Sequence, residues 1–452
     1  MPQSQPPHDP AAHPEASKAQ PGASASAAPS TARRAAHAGA SAVHGERPAK
    51  LDLAEALAQI RGAAAVIGPH IVRTPTVLSH AFSQDVGAQV HLKLEILQRT
   101  GSFKVRGALN RILTLEPATR SRGVIAASAG NHAQGVGLAA QLCGCPALIV
   151  MPTGTPQIKI RRTAAFGAEV VLHGENYDQA YVHACTLAES GGRTMIHPFD
   201  DMAVIAGQGT IGLELLEQVA DFDTVVVPIG GGGLIAGVAL CLKALRPDVR
   251  IVGVQAAGAA PMVRSFEAGH PVEVERPTTI ADGIRVGRVG AHTWPIVQAL
   301  VDECVTVEED DLCFAIARAL EQSKIVLEGA GAAGLAALLR GRTRPGRRNV
   351  VLTCGGNIDL TLLARVVESG LAQAGRTHRL RLRVPDQPGQ LERIGGVLRR
   401  QGVNILDIQH QRGGWRVPVG FVDVELLVET RGPEALGELE AELERAGLGP
   451  QK

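Results

Sequence analysis

The chain has 452 residues, with 45 basic side chains against 44 acidic ones and a formal net charge of +1. Near-neutrality leaves no global field to recruit nucleic acid or an anionic membrane surface, and no apolar run reaches the roughly 18 to 20 residues that a membrane span needs. Seven cysteines, an odd number, build no disulfide framework and predict a reducing, cytoplasmic setting, while the lack of HExxH or paired CxxC gives no support to a metal hydrolase.

Residues 1–48 are rich in Ala, Pro, Ser and His. They hold too little apolar surface to offset the entropy of ordering, so a disordered N-terminal extension is expected. It has no apolar h-region of a secretory signal. Arg33 and Arg34 among Ala and Ser suggest a transit peptide, but Asp9, Glu15 and the prolines weigh against one.

Residues 49–368 alternate short β-branched runs with longer helical ones. GSFKVRGALN (Gly101 to Asn110) reads as a turn and a helix start, with Ser102 as N-cap and Val105, Leu109, Ile112 and Leu113 at helical spacing. Its lysine, Lys104, stands in a first helical turn, where the helix dipole disfavours positive charge. An exposed, snorkelling lysine is one reading; a lysine that loses its proton easily is the other. VIAAS (Val124 to Ser128), ALIVMP, AEVVLHG, TVVVPI, RIVGVQA and NVVLTC then read as strands, with helical segments such as HAQGVGLAAQLCG and LIAGVALCLKAL between them. This alternation predicts an α/β fold with a mostly parallel sheet covered on both faces, whose ligands bind beyond the carboxyl ends of the strands.

Residues 369–378 read as a polar, Gly-containing linker. In 379–452, LRLRV, VNILDIQHQ and GFVDVELLVET alternate as strands, and LERIGGVLRRQG and PEALGELEAELERAG are amphipathic. The order βαββα is most of a ferredoxin-like α+β unit. A final strand is expected after it, where only GLGPQK stands.

Four small motifs fall at strand-to-helix turns. Besides GSFKVRG these are SAGNHAQG from Ser128, GGGGL from Gly230 to Leu234, and TCGGN from Thr353 to Asn357. A glycine run opening a helix lets a phosphate approach backbone amides, although it is neither a P-loop nor GxGxxG with its acidic partner; a plain packed turn is the alternative. SAGN offers a hydroxyl, an amide and successive backbone donors suited to a carboxylate, or simple capping by Ser128 or Asn131. Taken alone, His132 reads as a capping or supporting group and Cys354 as a small buried residue.

Together, a lysine nucleophile, a phosphate cradle and a carboxylate turn point to pyridoxal 5'-phosphate acting on an amino acid. Through SFKVRGA, SAGNHAQG, GGGGL, LEGAGAAGLAAL and TCGGN, in that order over residues 50 to 368, the chain resembles the fold-type II pyridoxal-phosphate enzymes, and among them the threonine and serine dehydratases (ammonia-lyases). The resemblance implies two open, mostly parallel-sheet subdomains. It implies that Lys104 forms the internal aldimine and later takes the α-proton, with Phe103 packed near the cofactor. Asn131 would bond the ring hydroxyl, Gly230, Gly231, Gly232, Gly233 and Leu234 would hold the phosphate, and Cys354 would face the pyridine nitrogen. Ser128, Ala129, Gly130 and His132 would line the substrate carboxylate site. The implied reaction is β-elimination of threonine to 2-oxobutanoate and ammonia, with serine giving pyruvate as a side activity, in isoleucine synthesis or in threonine catabolism.

Serine racemases of this family carry a serine as second base where this chain has Ala129, which favours dehydration; a serine dehydratase or racemase remains the alternative within the family. Gln255 stands where some relatives place a carboxylate for a divalent cation, so no metal site is expected. The unit at 379–452 resembles an ACT domain through PDQPGQL (Pro385 to Leu391) and VNILDI. It implies feedback by a branched-chain amino acid, isoleucine or valine, or else a dimerisation module without ligand. A homodimer or homotetramer is expected. Outside catalysis, the alternative is an amino-acid sensor acting through the ACT-like unit.

Overall fold

The computed structural model describes residues 51–412 and 417–449; the extension 1–48 lies outside the described residues. The short strand β1 (Thr76–Leu78) pairs antiparallel with β2 (Gln89–Leu94). The chain then crosses to a second sheet and lays down β3 (Val124–Ala127), β4 (Ala147–Met151), β5 (Glu169–Leu172) and β6 (Thr194–Met195). These four are parallel, in the spatial order β5-β4-β3-β6. It returns with β7 (Thr224–Pro228), β8 (Arg250–Ala256), β9 (Glu303–Val307) and β10 (Arg348–Thr353) to complete a six-stranded sheet, β1-β2-β10-β7-β8-β9. Every pair there except β1 with β2 is parallel.

The strand sequences explain the layering. β3, β4 and β7 are buried at every position, so they carry continuous apolar runs in place of alternation, as strands covered on both faces must. Helices Met202–Gln218 and Gly233–Leu245 pack together on the larger sheet. Their contact is close because Gly209 and Gly237 face one another; a Cβ on Gly237 would meet Gly209 N at 2.6 Å.

Two expectations are overturned by packing. Ser102 caps no helix. The helix Lys104–Leu113 begins after Phe103, which is itself in the αR region and offers no side-chain cap. Residues 101–103 are instead stitched to 354–356: Phe103 N–H donates to the Cys354 carbonyl at 3.2 Å and Gly356 N–H to that of Gly101 at 3.0 Å, around a bridge between Ser102 and Gly355. Pairing between the two loops wins over capping and leaves the buried Ser102 hydroxyl without a partner. Residues 369–378, read as a linker, are mostly the end of helix Leu360–Gln373 and the start of the next strand, joined by a turn of only three residues, 374–376. Gly370, which suggests a break, is a contact glycine: a Cβ there would lie 2.4 Å from that of Ala317.

That next strand is β11 (Thr377–Pro385), followed by helix Gln390–Gln401, β12 (Asn404–Gln411), β13 (Phe421–Glu429) and helix Pro433–Arg445. The sheet is antiparallel in the order β11-β13-β12. Leu380, Leu382 and Val384 of β11 and Val422, Val424, Leu426 and Val428 of β13 form one core with Ile394, Leu398, Leu439 and Leu443 of the helices. The described residues after Arg445 form no further strand. β12 is the edge strand opposite β11 and is exposed along its whole length. Among the described residues no helix is long and apolar enough to cross a membrane.

Candidate active site

β2, β10 and β7 are neighbours in the larger sheet, so the loops that leave their carboxyl ends converge. The loop after β2 carries Phe103 and Lys104, the loop after β10 carries Cys354, and the loop after β7 is the Gly230–Gly233 run. The smaller sheet contributes the turn after β3, with Ser128 to Asn131. Helix Asn131–Cys143 is seated directly on the lysine helix at Gly135, where a Cβ would lie 3.0 Å from the backbone of Lys104.

Lys104 donates from Nζ to the Pro198 carbonyl at 2.9 Å and lies 5.2 Å from the centre of the Phe103 ring. Burial lowers its pKa from 10.5 to about 8, and the nearby Cys354 and Glu328 only partly offset that. Two histidines flank it. Burial, reinforced by the Lys104 charge, holds His132 at about 3. Burial holds His197 at about 4, against the pull of Asp200. Both rings are therefore neutral near pH 7. The Phe103 ring belongs to one core cluster with Leu234, Ile229 and Cys354.

Asn131 is fixed at both ends of its amide. Nδ2 donates to Glu328 Oε1 at 2.6 Å, and Oδ1 accepts from Asn357 Nδ2 at 2.8 Å. Glu328 is crowded against the Cys354 loop, since a Cβ on Gly355 would meet Oε1 at 2.0 Å. Burial raises its pKa to about 7, with the Asn131 hydrogen bond opposing. The Cys354 thiol lies 3.6 Å from the Ala330 carbonyl, and burial pushes its pKa up strongly, so it is a neutral group at any ordinary pH.

The glycine run is shaped by what surrounds it. Gly232 has φ of 102°, the left-handed region that favours glycine. A Cβ on Gly231 would fall 2.2 Å from the Phe199 ring, and one on Gly232 2.8 Å from Met262 Cε. Thr293 Oγ1 donates to the Gly231 carbonyl at 2.6 Å, and Gln255 Nε2 to that of Gly230 at 3.2 Å. With those carbonyls engaged, the amides at the head of helix Gly233–Leu245, which lack intrahelical acceptors, are left for an anion. Gln255 also accepts from Met262 N–H and Val263 N–H, so it is a scaffold for the cradle. Among the described residues, no three His, Cys, Asp or Glu side chains cluster as metal ligands would.

At the turn after β3, Ser128 Oγ accepts from Gly130 N–H at 3.2 Å, and the space over Gly130 is open, with no atom beyond its own chain neighbours within 4 Å of where a Cβ would lie. Ala129 is partly buried against the smaller-sheet core. His132 is turned away from this opening: it is buried, and its Nε2 lies 2.8 Å from the Ile196 carbonyl.

Sequence pattern assigns no role to Glu328, Asn357 or the segment Ile196–Asp201. Glu328 and Asn357 stand inside two of the motifs, LEGAGAAG and TCGGN. An acid just before a glycine-rich helix is the available signal for the first. The IHPFDD segment carries no pattern of its own.

Residues 67–355 match the family described as pyridoxal-phosphate dependent enzyme, and residues 378–445 match the ACT domain. The chain is 45% identical over 368 residues to an L-threonine ammonia-lyase of Thermotoga maritima, covering 81% of this chain and 92% of that one. It is 43% identical over 318 residues to the catabolic L-threonine dehydratase TdcB of Escherichia coli, covering 70% and 97%. Among solved structures, the processed form of threonine deaminase isoform 2 from Solanum lycopersicum is 40% identical with a TM-score of 0.68, over 73% of this chain and 93% of that one. Maize serine racemase is 37% identical with a TM-score of 0.66, over 70% and 98%.

Proposed function

The chain belongs to the pyridoxal-phosphate dependent enzymes and carries an ACT domain behind its catalytic part, and we propose on that premise that it is an L-threonine ammonia-lyase. It converts threonine to 2-oxobutanoate and ammonia, and serine to pyruvate as a side activity. The residues present fit pyridoxal phosphate: a cradle of free amides with no carboxylate in it, an amine of lowered basicity, and a neutral thiol at Cys354. When bound, the cofactor supplies the electron sink that acidifies the α-carbon of an amino acid.

The chain's own groups do the rest. Gly230 to Gly233 and Leu234 would hold the phosphate. Asn131, whose amide is oriented by Glu328 and Asn357, would bond the ring oxygen, and Cys354 would serve the ring nitrogen as a neutral group that cannot charge it. Phe103 would pack beside the ring. Ser128, Ala129 and Gly130 hold the substrate carboxylate over the open side of their turn. His132 supports that helix from behind. Lys104 Nζ would anchor the cofactor and take the α-proton; the β-hydroxyl, leaving with that proton, makes water, and hydrolysis of the enamine that remains gives the 2-oxo acid and ammonia. Ala129 has no group that could return a proton on the opposite face, which supports elimination over racemisation.

The observation that carries this reading is the amine of Lys104, partly buried, held by the Pro198 carbonyl near two neutral histidines, with its pKa brought to about 8. A partly buried lysine is thereby matched to nucleophilic and base roles near neutrality. Lys104→Ala is expected to lose both the visible absorbance band of the bound cofactor and 2-oxo acid release. Turnover at the wild-type rate in that variant would overturn the assignment. The ACT domain takes an amino-acid effector, isoleucine or valine, and the exposed edge β12 supports a homodimer or homotetramer. All seven cysteines are free, in keeping with a cytoplasmic enzyme.

A further inference from the structure

Residues 196–201, IHPFDD, are the place where the chain crosses from β6 of the smaller sheet to helix Met202–Gln218 of the larger one. Each residue of this strap holds something different. The Ile196 carbonyl engages His132, and the Pro198 carbonyl engages Lys104 Nζ at 2.9 Å. The Phe199 ring lies over Gly231. Asp201 caps its own helix through the amides of Ala203 and Val204.

Two side chains keep the strap in this shape. His197 Nδ1 accepts from the amides of Phe199 at 3.3 Å and Asp200 at 2.7 Å. Asp200 in turn accepts from the amides of Ala291 and His292, each at 2.8 Å, and of Thr293 at 3.3 Å, at the head of helix Thr293–Leu300. Thr293 Oγ1 then reaches the Gly231 carbonyl at 2.6 Å. A series of hydrogen bonds thus runs from the phosphate cradle through Thr293 and Asp200 to His197, whose peptide neighbour Pro198 supplies the carbonyl that holds the lysine.

We propose that this strap couples occupancy of the phosphate cradle to the placement of Lys104, with His197 as the positioning residue acting through Nδ1. The Pro198 carbonyl is the station that holds the amine whenever it is not bonded to the cofactor, aimed and hydrogen-bonded. The proposal rests on the reading of Lys104 as the cofactor-binding lysine. His197 is not itself a proton carrier in it, because an Nδ1 that accepts two backbone amides must stay unprotonated. Of the titratable groups facing Lys104, namely Cys354, Glu328, His132 and His197, only the last belongs to the strap.

The test compares two holoenzyme variants. An asparagine side-chain oxygen falls near the place of a histidine Nδ1, whereas a glutamine reaches to the place of Nε2. His197→Gln is expected to raise the pyridoxal phosphate dissociation constant about tenfold, the loss of one to two backbone hydrogen bonds, and to displace the pH midpoint of the visible absorbance band. His197→Asn is expected to keep both within about twofold of wild type. Thr293→Val, which removes only the far hydroxyl, should move both readouts in the same direction as His197→Gln. The coupling is overturned if Thr293→Val weakens cofactor binding and leaves the pH midpoint where it was, or if the Gln and Asn variants behave alike. Failure of either kind, with the absorbance band still lost in Lys104→Ala, would remove the strap proposal and leave the lysine assignment standing.

Discussion

Two cations stand two residues apart at the head of one helix and meet opposite fates. Arg106 is fully buried and answered by carboxylates: Nε and Nη2 bond Glu95 at 2.9 and 2.8 Å, and Nη1 bonds Glu214 at 2.6 Å. Glu214 also takes Lys93 at 2.5 Å, and Thr74 bonds Glu95. Burial alone would lower the arginine's pKa, and the two glutamates more than reverse it. Lys104 faces no carboxylate at contact distance; it has one carbonyl, one ring and neutral histidines, and its pKa falls to about 8. Burial with partners locks a charge into the structure, and burial without them turns the group into a reagent. The first arrangement anchors the helix on which the second depends, through Glu95 at the end of β2 and Glu214 on the helix Met202–Gln218.

The largest effect should come from breaking the paired side. Glu95→Ala strands Arg106 with half of its compensation. An orphaned buried ion costs about 3 to 5 kcal/mol, which should appear as a lower denaturant midpoint. A loss below about 1 kcal/mol would mean that Arg106 is solvated after all and that the contrast with Lys104 is one of degree. The next test sharpens the unpaired side. Glu328 has its pKa raised to about 7 by burial, so the folded state binds a proton there that the unfolded state has released between roughly pH 4.5 and 7. The stability it contributes is present at the acid end and is lost as pH rises through about 7. Glu328→Gln removes that titration. Above pH 7 the variant should be more stable than wild type by about 1 kcal/mol, discounted because the side chain keeps some exposure, and it should bind pyridoxal phosphate more weakly because Asn131 loses its charged acceptor. Parallel stability curves for the two proteins between pH 5.5 and 8.5 would count against a shifted Glu328.

Lys104 is legible in the sequence, whereas the reasons for its behaviour are only partly so. The four turns can be found because glycine runs and small polar residues after β-branched strands are local signals. The six-stranded sheet then brings three of them together without any further instruction than strand order. What sets the chemistry is non-local. Pro198 and His197 lie more than ninety positions from Lys104, and Glu328 more than two hundred, and no periodicity links them. Ser102 shows the converse: a good local cap is overruled because its loop pairs with Gly355. Gly370 likewise mimics a helix end while serving a close contact with Ala317. The element order of the ACT domain is legible because alternation in β11 and β13 has one buried face, but β12, exposed along its whole length, gives the pattern no core side to report.

The smallest effect tests whether identity or charge matters at the far side of the site. Cys354 is buried, with its thiol held neutral and close to the Ala330 carbonyl. A serine there is smaller by the difference between sulfur and oxygen, donates a hydrogen bond of the same sense, and is equally unable to carry charge. Cys354→Ser should therefore leave threonine turnover within about threefold of wild type, the spread of one modest hydrogen bond, and should not move the visible absorbance band. Cys354→Asp should do far more, since a second buried carboxylate beside Glu328 would pull Lys104 back toward its charged form and so toward the condition of Arg106. If serine proved as damaging as aspartate, sulfur itself would be required, and the neutrality of the Cys354 position would not be what distinguishes the reactive cation from the silent one.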